Sequence, residues 1–263
     1  VRKDYELGEV LASGGFGTVS AGWRLRDDLP VALKVVEKSG IPLWEDQAKK
    51  IPMEIAILER LSAVPNVIRL LEWLEDEESF LLVLERPTPC QDMYDYIQEN
   101  IFIPETRARD FFHQIIQIVT DLETEGVYHH DLKSENLLIT YDDYQKPILK
   151  LIDFGAADKI SDEPQELVNG TPHYYPPEYF LGFNYYGYEA MLWTLGMLLY
   201  DMTNGHLPFD SKDEIIDGRF TFESDPVLSD SLKDLVTSLL DHDPSSRPKV
   251  EEILSHPWMV NTD

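Results

Sequence analysis

Cysteine is almost missing from this chain: Cys90 is the single one among 263 residues. One thiol excludes any intrachain disulfide and permits a reducing compartment, so a cytoplasmic or nuclear protein is the expectation. Positive charge is scarce too, with 22 Lys and Arg against 49 Asp and Glu and a formal net charge of −27. Such an excess of acid argues against a nucleic-acid or anionic-membrane partner and favours steering of a cationic one, although solubility alone accounts for the acidity equally well. No apolar run approaches the roughly 20 residues of a membrane span, and no secretory leader pattern opens the chain. Val1 stands where a start methionine would be, which reads as an excised or engineered domain. What is present is 43% hydrophobic residues, enough to bury a sizeable core as one large domain or two lobes, and a monomer is expected.

The chemistry concentrates between Tyr128 and Gly155. Asp131, Lys133, Asn136 and Asp153 supply an acidic base, a cation two residues on, an amide oxygen three beyond that and a second carboxylate. Phosphoryl transfer needs such a set, because it is mostly positioning and charge neutralisation. Asp131 suits the proton of an incoming hydroxyl, Lys133 the migrating phosphoryl charge, and Asn136 with Asp153 the hard ion Mg²⁺. The apolar runs 137–139 and 148–152, separated by Asp142, Asp143 and Pro147, read as a hairpin holding the two ends in register. Taken singly, each residue is more simply a solvated carboxylate or amide. Their order, Asp-x-Lys-x-x-Asn followed by two apolar runs and Asp-Phe-Gly, matches the catalytic and magnesium loops of eukaryotic protein kinases.

Earlier in the chain, the alternation over 5–10, the run Leu11-Ala-Ser-Gly-Gly-Phe-Gly-Thr-Val19 and the strand pattern 20–23 predict a hairpin with a glycine-rich tip. Gly14, Gly15 and Gly17 let backbone amides approach phosphates, a signal that is weak alone because plain turns look the same. Val31-Ala-Leu-Lys34 is a strand ending in a lysine, and residues 39–52 read as loop and short helix. Met53–Leu61 reads as a helix carrying Glu54, which pairs with Lys34 in the kinase pattern. Strands are expected over 67–73 and 79–84 around the acidic turn 75–78, and Glu85–Gln91, with two prolines, reads as a linker. Beyond it come a short helix over 92–100, a long one from Pro104 through Glu125 ended by Gly126, a surface loop from 155 to 178, and buried helices over 189–203 and 232–240.

Glu85-Arg-Pro-x-Pro, Ser-Gly-Gly-Phe-Gly, Pro-Met-Glu, Leu-Ile-Asp-Phe-Gly, Tyr-x-Pro-Pro-Glu, Leu-Leu-Tyr-Asp-Met and His-Pro-Trp-Met together resemble the Pim family of serine/threonine kinases over nearly the whole chain. The resemblance implies an α+β, bilobal fold: an N-lobe over 1–84 with five strands and one major helix, a hinge over 85–91, and a mainly helical C-lobe over 92–263. It implies ATP and Mg²⁺ in the cleft. Leu11, Val19, Ala32, Leu138 and Ile152 match the adenine-sandwiching positions, and Ser13, Gly14, Gly15, Phe16 and Gly17 the phosphate loop. Lys34 and Glu54 match the nucleotide-binding pair; Glu85 lies at the hinge and Asp92 near the ribose. Thr171, with Lys133, matches the serine/threonine pattern beside the base Asp131. Asp92, Asp95 and Glu135 resemble acids that receive basic residues of a peptide substrate, and Arg247 the late arginine that pairs with Glu178. His129 is expected to pack with Phe154 and Leu58.

The departures matter as well. Ala12 replaces the usual first loop glycine and would cost on the order of 1 kcal/mol if its φ were positive. Pro87 removes one hinge N–H donor. His130 replaces an arginine that clamps a phosphate on the activation segment, so activity without loop phosphorylation is expected. Met191 stands where most kinases keep an aspartate, and His206 where Pim relatives carry an acid near the peptide groove. The adjacent pair His129 and His130 makes a poor zinc site without further ligands. Two functions follow: an ATP- and Mg²⁺-dependent serine/threonine kinase for basic peptides, and a pseudokinase or nucleotide-binding scaffold in which the altered positions mark lost turnover.

Overall fold

The structure is a computed structural model that describes residues 4–15, 17–46, 50–161, 163–164, 170–224 and 226–260. Three long strands open the chain, β1 (Tyr5–Gly14), β2 (Gly17–Arg24) and β3 (Leu29–Glu37). With β6 (Leu70–Glu75) and β7 (Ser79–Glu85) they form an antiparallel sheet in the order β1-β2-β3-β7-β6. Both of its faces are apolar, as the period of two along β3 shows. Val31 and Leu33 join Tyr5 and Val83 in a small outer cluster, while Ala32 and Val36 face the main core.

Between β3 and β6 lies the one substantial departure from the expected strands and helices. In place of loop and short helix there is a 3₁₀ turn at Lys38–Gly40, then the short antiparallel strands β4 (Trp44–Asp46) and β5 (Ile51–Pro52). Helix α1 (Met53–Arg60) follows at once, burying Met53, Glu54, Ile55, Ile57 and Leu58. The strand expected from Val67 starts only at Leu70. The reason is a long-range contact: the Asn66 side-chain amide donates to the Leu149 carbonyl at 2.8 Å, the Leu151 N–H donates to the Asn66 carbonyl at 2.8 Å, and Val67 bridges Leu151. These bonds draw residues 66–67 away from the five-stranded sheet.

The remainder is mainly helical. Strand β8 (Gln91–Asp92) leads into α2 (Met93–Asn100), α3 (Glu105–Thr124), β9 (Val127–Tyr128), the hairpin β10 (Leu137–Tyr141) and β11 (Pro147–Leu151), and β12 (Asp158–Lys159). Then come α4 (Pro177–Phe180), α5 (Gly187–Asn204), α6 (Lys212–Asp217), α7 (Asp230–Leu239), α8 (Val250–Ser255) and α9 (Pro257–Val260). Pro104 is the N-cap of α3 rather than its first-turn residue. The segment expected as plain surface loop carries β12, paired with β9, and a 3₁₀ turn at Pro172–Tyr174.

Helix α5 is buried nearly all round, with Trp193, Leu195, Met197, Leu198 and Leu199 fully enclosed. Gly196 is what lets α7 pack so closely, since a Cβ there would lie 2.8 Å from the Leu239 side chain. Among the described residues no helix is long and apolar enough to cross a membrane. One continuous core joins Phe80 and Leu82 of the sheet, Leu58 of α1, Phe154 and the C-terminal helices, so the sheet and the helical part rest on shared packing.

Candidate active site

The hairpin β10–β11 pairs Leu137 with Leu151 and Leu138 with Lys150, which brings Asn136 beside Ile152. The Ile152 N–H donates to the Asn136 carbonyl at 2.9 Å. One turn earlier, the 128–136 loop closes on itself: the Asn136 side-chain amide donates to the Asp131 carbonyl at 2.7 Å and to its Oδ2 at 3.2 Å. Both amide hydrogens are thereby occupied, and Asn136 Oδ1 is the atom left to offer a ligand. His129 ties the loop to the next segment. The Asp131 N–H donates to His129 Nδ1 at 3.3 Å, so the imidazole proton sits on Nε2 and donates to the Ile152 carbonyl at 3.0 Å. Burial pushes the imidazole pKa down and keeps it neutral, and its ring meets Phe154 edge-on with centroids 4.7 Å apart. The packing expected of His129 is thus present, with Phe154 and Leu58 in the same core.

Asp153 follows in a left-handed conformation, φ 61° and ψ 77°. There it meets Lys34. The Lys34 ammonium donates to Asp153 Oδ1 at 2.7 Å and to Glu54 Oε1 at 2.6 Å, joining residues 119 and 20 positions apart in sequence. Lys34 is placed by β-sheet register: it pairs with Val19 on β2 and Leu82 on β7, and Ala32 lies two residues back on the same face. Burial is the largest effect on the ammonium and works to lower its pKa. The pull of Glu54 and Asp153 outweighs it, so the pKa is raised. Burial likewise acts to raise Asp153, yet Lys34 holds it below the usual carboxylate range, while burial pushes Glu54 up. One cation between two carboxylates leaves Glu54 the first of the three to take a proton as pH falls.

Asp131, Lys133 and Thr171 form a closed ring. The Thr171 hydroxyl donates to Asp131 Oδ1 at 2.7 Å and accepts from the Lys133 ammonium at 2.7 Å, and Lys133 lies 3.2 Å from Asp131 Oδ2. Glu178 and Arg247 meet as expected, in two parallel bonds of 2.8 Å, and both are buried.

The other predicted residues divide. Ser13 bonds Thr18 at 3.2 Å across the tip of the β1–β2 hairpin, and among the described residues nothing lies within 4 Å of a Cβ built on Gly14 or Gly15. Gly17 is different, because its φ is 120° and a Cβ there would strike the Val35 carbonyl at 2.2 Å. Phe16 lies outside the described residues. Leu11 is exposed on β1, Val19 and Ile152 are half-buried against the core, and Leu138 is half-buried between the buried Leu137 and Ile139. Ala12 lies in β1 and is not among the residues with positive φ, so the expected strain does not arise.

Glu85 and Asp92 have structural partners that the sequence did not disclose. The Glu85 carboxylate receives the Lys150 ammonium and the Arg69 N–H, fastening the end of β7 to β11. Asp92 Oδ1 caps α2 by accepting the Asp95 N–H at 2.8 Å. Burial first, then Asp95 and Glu135, raises the Asp92 pKa. Asp201 of α5, quoted above within Leu-Leu-Tyr-Asp-Met but given no role, accepts the Ser134 hydroxyl at 2.9 Å, and burial, reinforced by Glu135, pushes it up to about 6. Its sequence signal was one acid inside an apolar helix. Met191, expected where an aspartate is usual, lines a cavity behind the 128–136 loop with His130, Tyr174 and Tyr185.

These side chains are the parts of a phosphoryl-transfer site, and the comparison with known proteins agrees. The protein kinase domain family matches residues 5–259. The chain belongs to the serine/threonine protein kinase family. The kinase is 36% identical over 271 residues to serine/threonine-protein kinase pim-2 of Danio rerio, covering 99% of this chain and 86% of that one. It is 41% identical over 264 residues to serine/threonine-protein kinase prk-2 of Caenorhabditis elegans, and 35% over 269 residues to serine/threonine-protein kinase DCLK3 of Mus musculus. Here the kinase covers 98% of itself in both cases but only 58% and 33% of those longer proteins.

Proposed function

We propose that this kinase is of Pim type and transfers the γ-phosphoryl group of ATP to serine or threonine hydroxyls in basic peptides, without needing a phosphate on its own activation segment. One observation carries the reading: Asp131 Oδ1 already accepts a hydrogen bond from a hydroxyl, that of Thr171 at 2.7 Å, and the Lys133 ammonium donates to that hydroxyl's oxygen. A substrate hydroxyl in that position would pass its proton to Asp131 as its oxygen bonds the γ-phosphorus, while the bond to the departing ADP oxygen breaks. Lys133 would offset the charge on the moving group, and Lys34, held by Glu54, that of the nucleotide phosphates.

Asn136 Oδ1 and the Asp153 carboxylate fit Mg²⁺, which prefers a few hard oxygens and keeps phosphate and water for the rest; bound there, it would neutralise phosphate charge.

The mutual repulsion of Asp92, Asp95 and Glu135 supports the preference for basic peptides, as does the net charge of −27. His130 supports independence from loop phosphorylation. It is half-buried against Tyr128, with ring centroids 5.9 Å apart, and burial pushes its pKa down to about 4, so it is neutral and a poor phosphate clamp. A monomer acting in the cytoplasm or nucleus completes the proposal, and the exposed, unpaired Cys90 suits such a compartment.

Release of ADP with a basic serine peptide tests the reading against an Asp131→Asn control. Equal release from both proteins removes the enzymatic reading in favour of a nucleotide-binding scaffold. Phosphatase treatment that abolishes turnover removes the claim about the activation segment.

A further inference from the structure

His206 follows α5 directly, on the same side of the molecule as Asp201, and its two ring nitrogens both face oxygen. Nδ1 lies 2.8 Å from the Leu207 carbonyl and Nε2 lies 3.1 Å from Glu223 Oε1. Carbonyl and carboxylate oxygens only accept, so each nitrogen must carry a hydrogen, and the arrangement is that of an imidazolium. A neutral ring would have to release one of the two, and the exposed carboxylate is the one free to move.

The backbone that carries Glu223 is held in place by several groups, while its carboxylate stays exposed. Its N–H donates to Asn204 Oδ1 at 3.2 Å, the Tyr200 hydroxyl donates to the nearby Thr221 carbonyl at 2.6 Å, and the Phe222 ring packs on Tyr200 with centroids 5.7 Å apart. Tyr200 also meets the His206 ring at 5.7 Å. The charged groups acting on His206 come from three elements: Glu223 from the segment after α6, Asp210 from the loop before it, and Asp201 from α5. Asp201 in turn reaches Glu135 and Ser134 of the 128–136 loop, and Glu135 reaches Asp92. A band of carboxylates therefore runs from beside Asp131 to Glu223, with His206 seated among them.

We propose that His206 determines substrate specificity by acting as an internal competitor: its imidazolium occupies Glu223 and opposes a basic side chain of the peptide, and loss of its proton frees that carboxylate for the substrate. The inference rests on the basic-peptide reading given above. Burial works to lower the His206 pKa, but the Leu207 carbonyl and Glu223 outweigh it and raise it, which moves the exchange towards neutral pH. Burial pushes the Asp201 carboxyl up to about 6, so it is mostly ionised above that pH.

The test compares kcat/KM for an arginine-containing serine peptide and its glutamine-substituted counterpart between about pH 6.5 and about pH 8.5, a window in which arginine keeps its charge. In the wild-type kinase the ratio of the two values should rise about 3-fold across this window, the scale of one partly exposed charge pair. His206→Gln should hold the high ratio throughout, and His206→Lys the low one. As a second readout, adding the arginine peptide should lower the pH at which the His206 ring protons titrate by NMR, since linkage is reciprocal. An arginine preference that does not change with pH, or one that still rises in His206→Gln, overturns the proposal while leaving the basic-peptide reading intact. Equal use of both peptides at every pH overturns both, and no turnover of either overturns the kinase reading itself.

Discussion

Two of the buried charge clusters among the described residues, those of Arg247 and Lys34, are built on opposite plans. Around Arg247 every guanidinium nitrogen has a partner: two bonds go to Glu178, one to the Asp241 carbonyl and one to the Glu189 carbonyl, and the guanidinium lies over Trp193. One cation faces one carboxylate, and neither reaches solvent. Around Lys34 one cation serves two carboxylates, and the Asp153 side chain remains 31% exposed on a backbone turned to positive φ. The first cluster is closed and neutral. The second carries an excess of negative charge at an open edge, which suits the Mg²⁺ site proposed above. Burial alone does not tell a structural ion pair from a working one; the count of charges and the unused acceptors do.

The contrast can be broken experimentally. Lys34→Met should reduce turnover at least about 100-fold, the scale of losing a positioned charge. It should lower stability by only about 1–2 kcal/mol, because Glu54 is poised to take a proton and Asp153 has water available. Asp131→Asn should reduce kcat by about 10²–10⁴-fold with the melting temperature nearly unchanged. Arg247→Met should do the reverse, costing about 3–5 kcal/mol in denaturant unfolding by leaving Glu178 charged and buried, with Arg247→Met/Glu178→Leu recovering most of it. Were Lys34→Met as destabilising as Arg247→Met, the difference between the clusters would vanish.

Smaller effects sharpen the picture. His130 has a folded-state pKa near 4, below its unfolded value of 6.5, so the unfolded chain binds the extra proton and the folded state loses stability as pH falls through 6.5. Between pH 7 and pH 5 this amounts to about 2 kcal/mol, and the wild-type protein should lose that much more than His130→Gln in unfolding measured at the two pH values. Ala12→Gly should change the KM for ATP less than about 2-fold, because the backbone there has no strain to relieve.

Much of this was legible in the primary structure. The order Asp131, Lys133, Asn136, Asp153, the strand register that places Lys34 and the helix that carries Glu54 are local patterns, and the folded chain brings these residues together as expected. The late starts and substituted elements were not legible, because they turn on side chains reaching across the molecule. Asn66 draws residues 66–67 to β11, and no periodicity announces it. The partnership of Asp201 with Ser134 and the tie of Glu85 to Lys150 are of the same kind. Ala12 shows the converse limit: its expected cost hung on a dihedral angle that residue identity does not specify.

The fastening of Glu85 to Lys150 has a mechanical consequence. Lys150 is one residue from the end of β11, and Asp153 stands three residues beyond it, while Asn66 grips the same strand at Leu149 and Leu151. β11 is thus anchored both at the end of β7 and at the loop that precedes β6. A tilt of the sheet against the helices would swing Asp153 through an arc set by those anchors, so the spacing between the two jaws and the aim of the carboxylate should change in step.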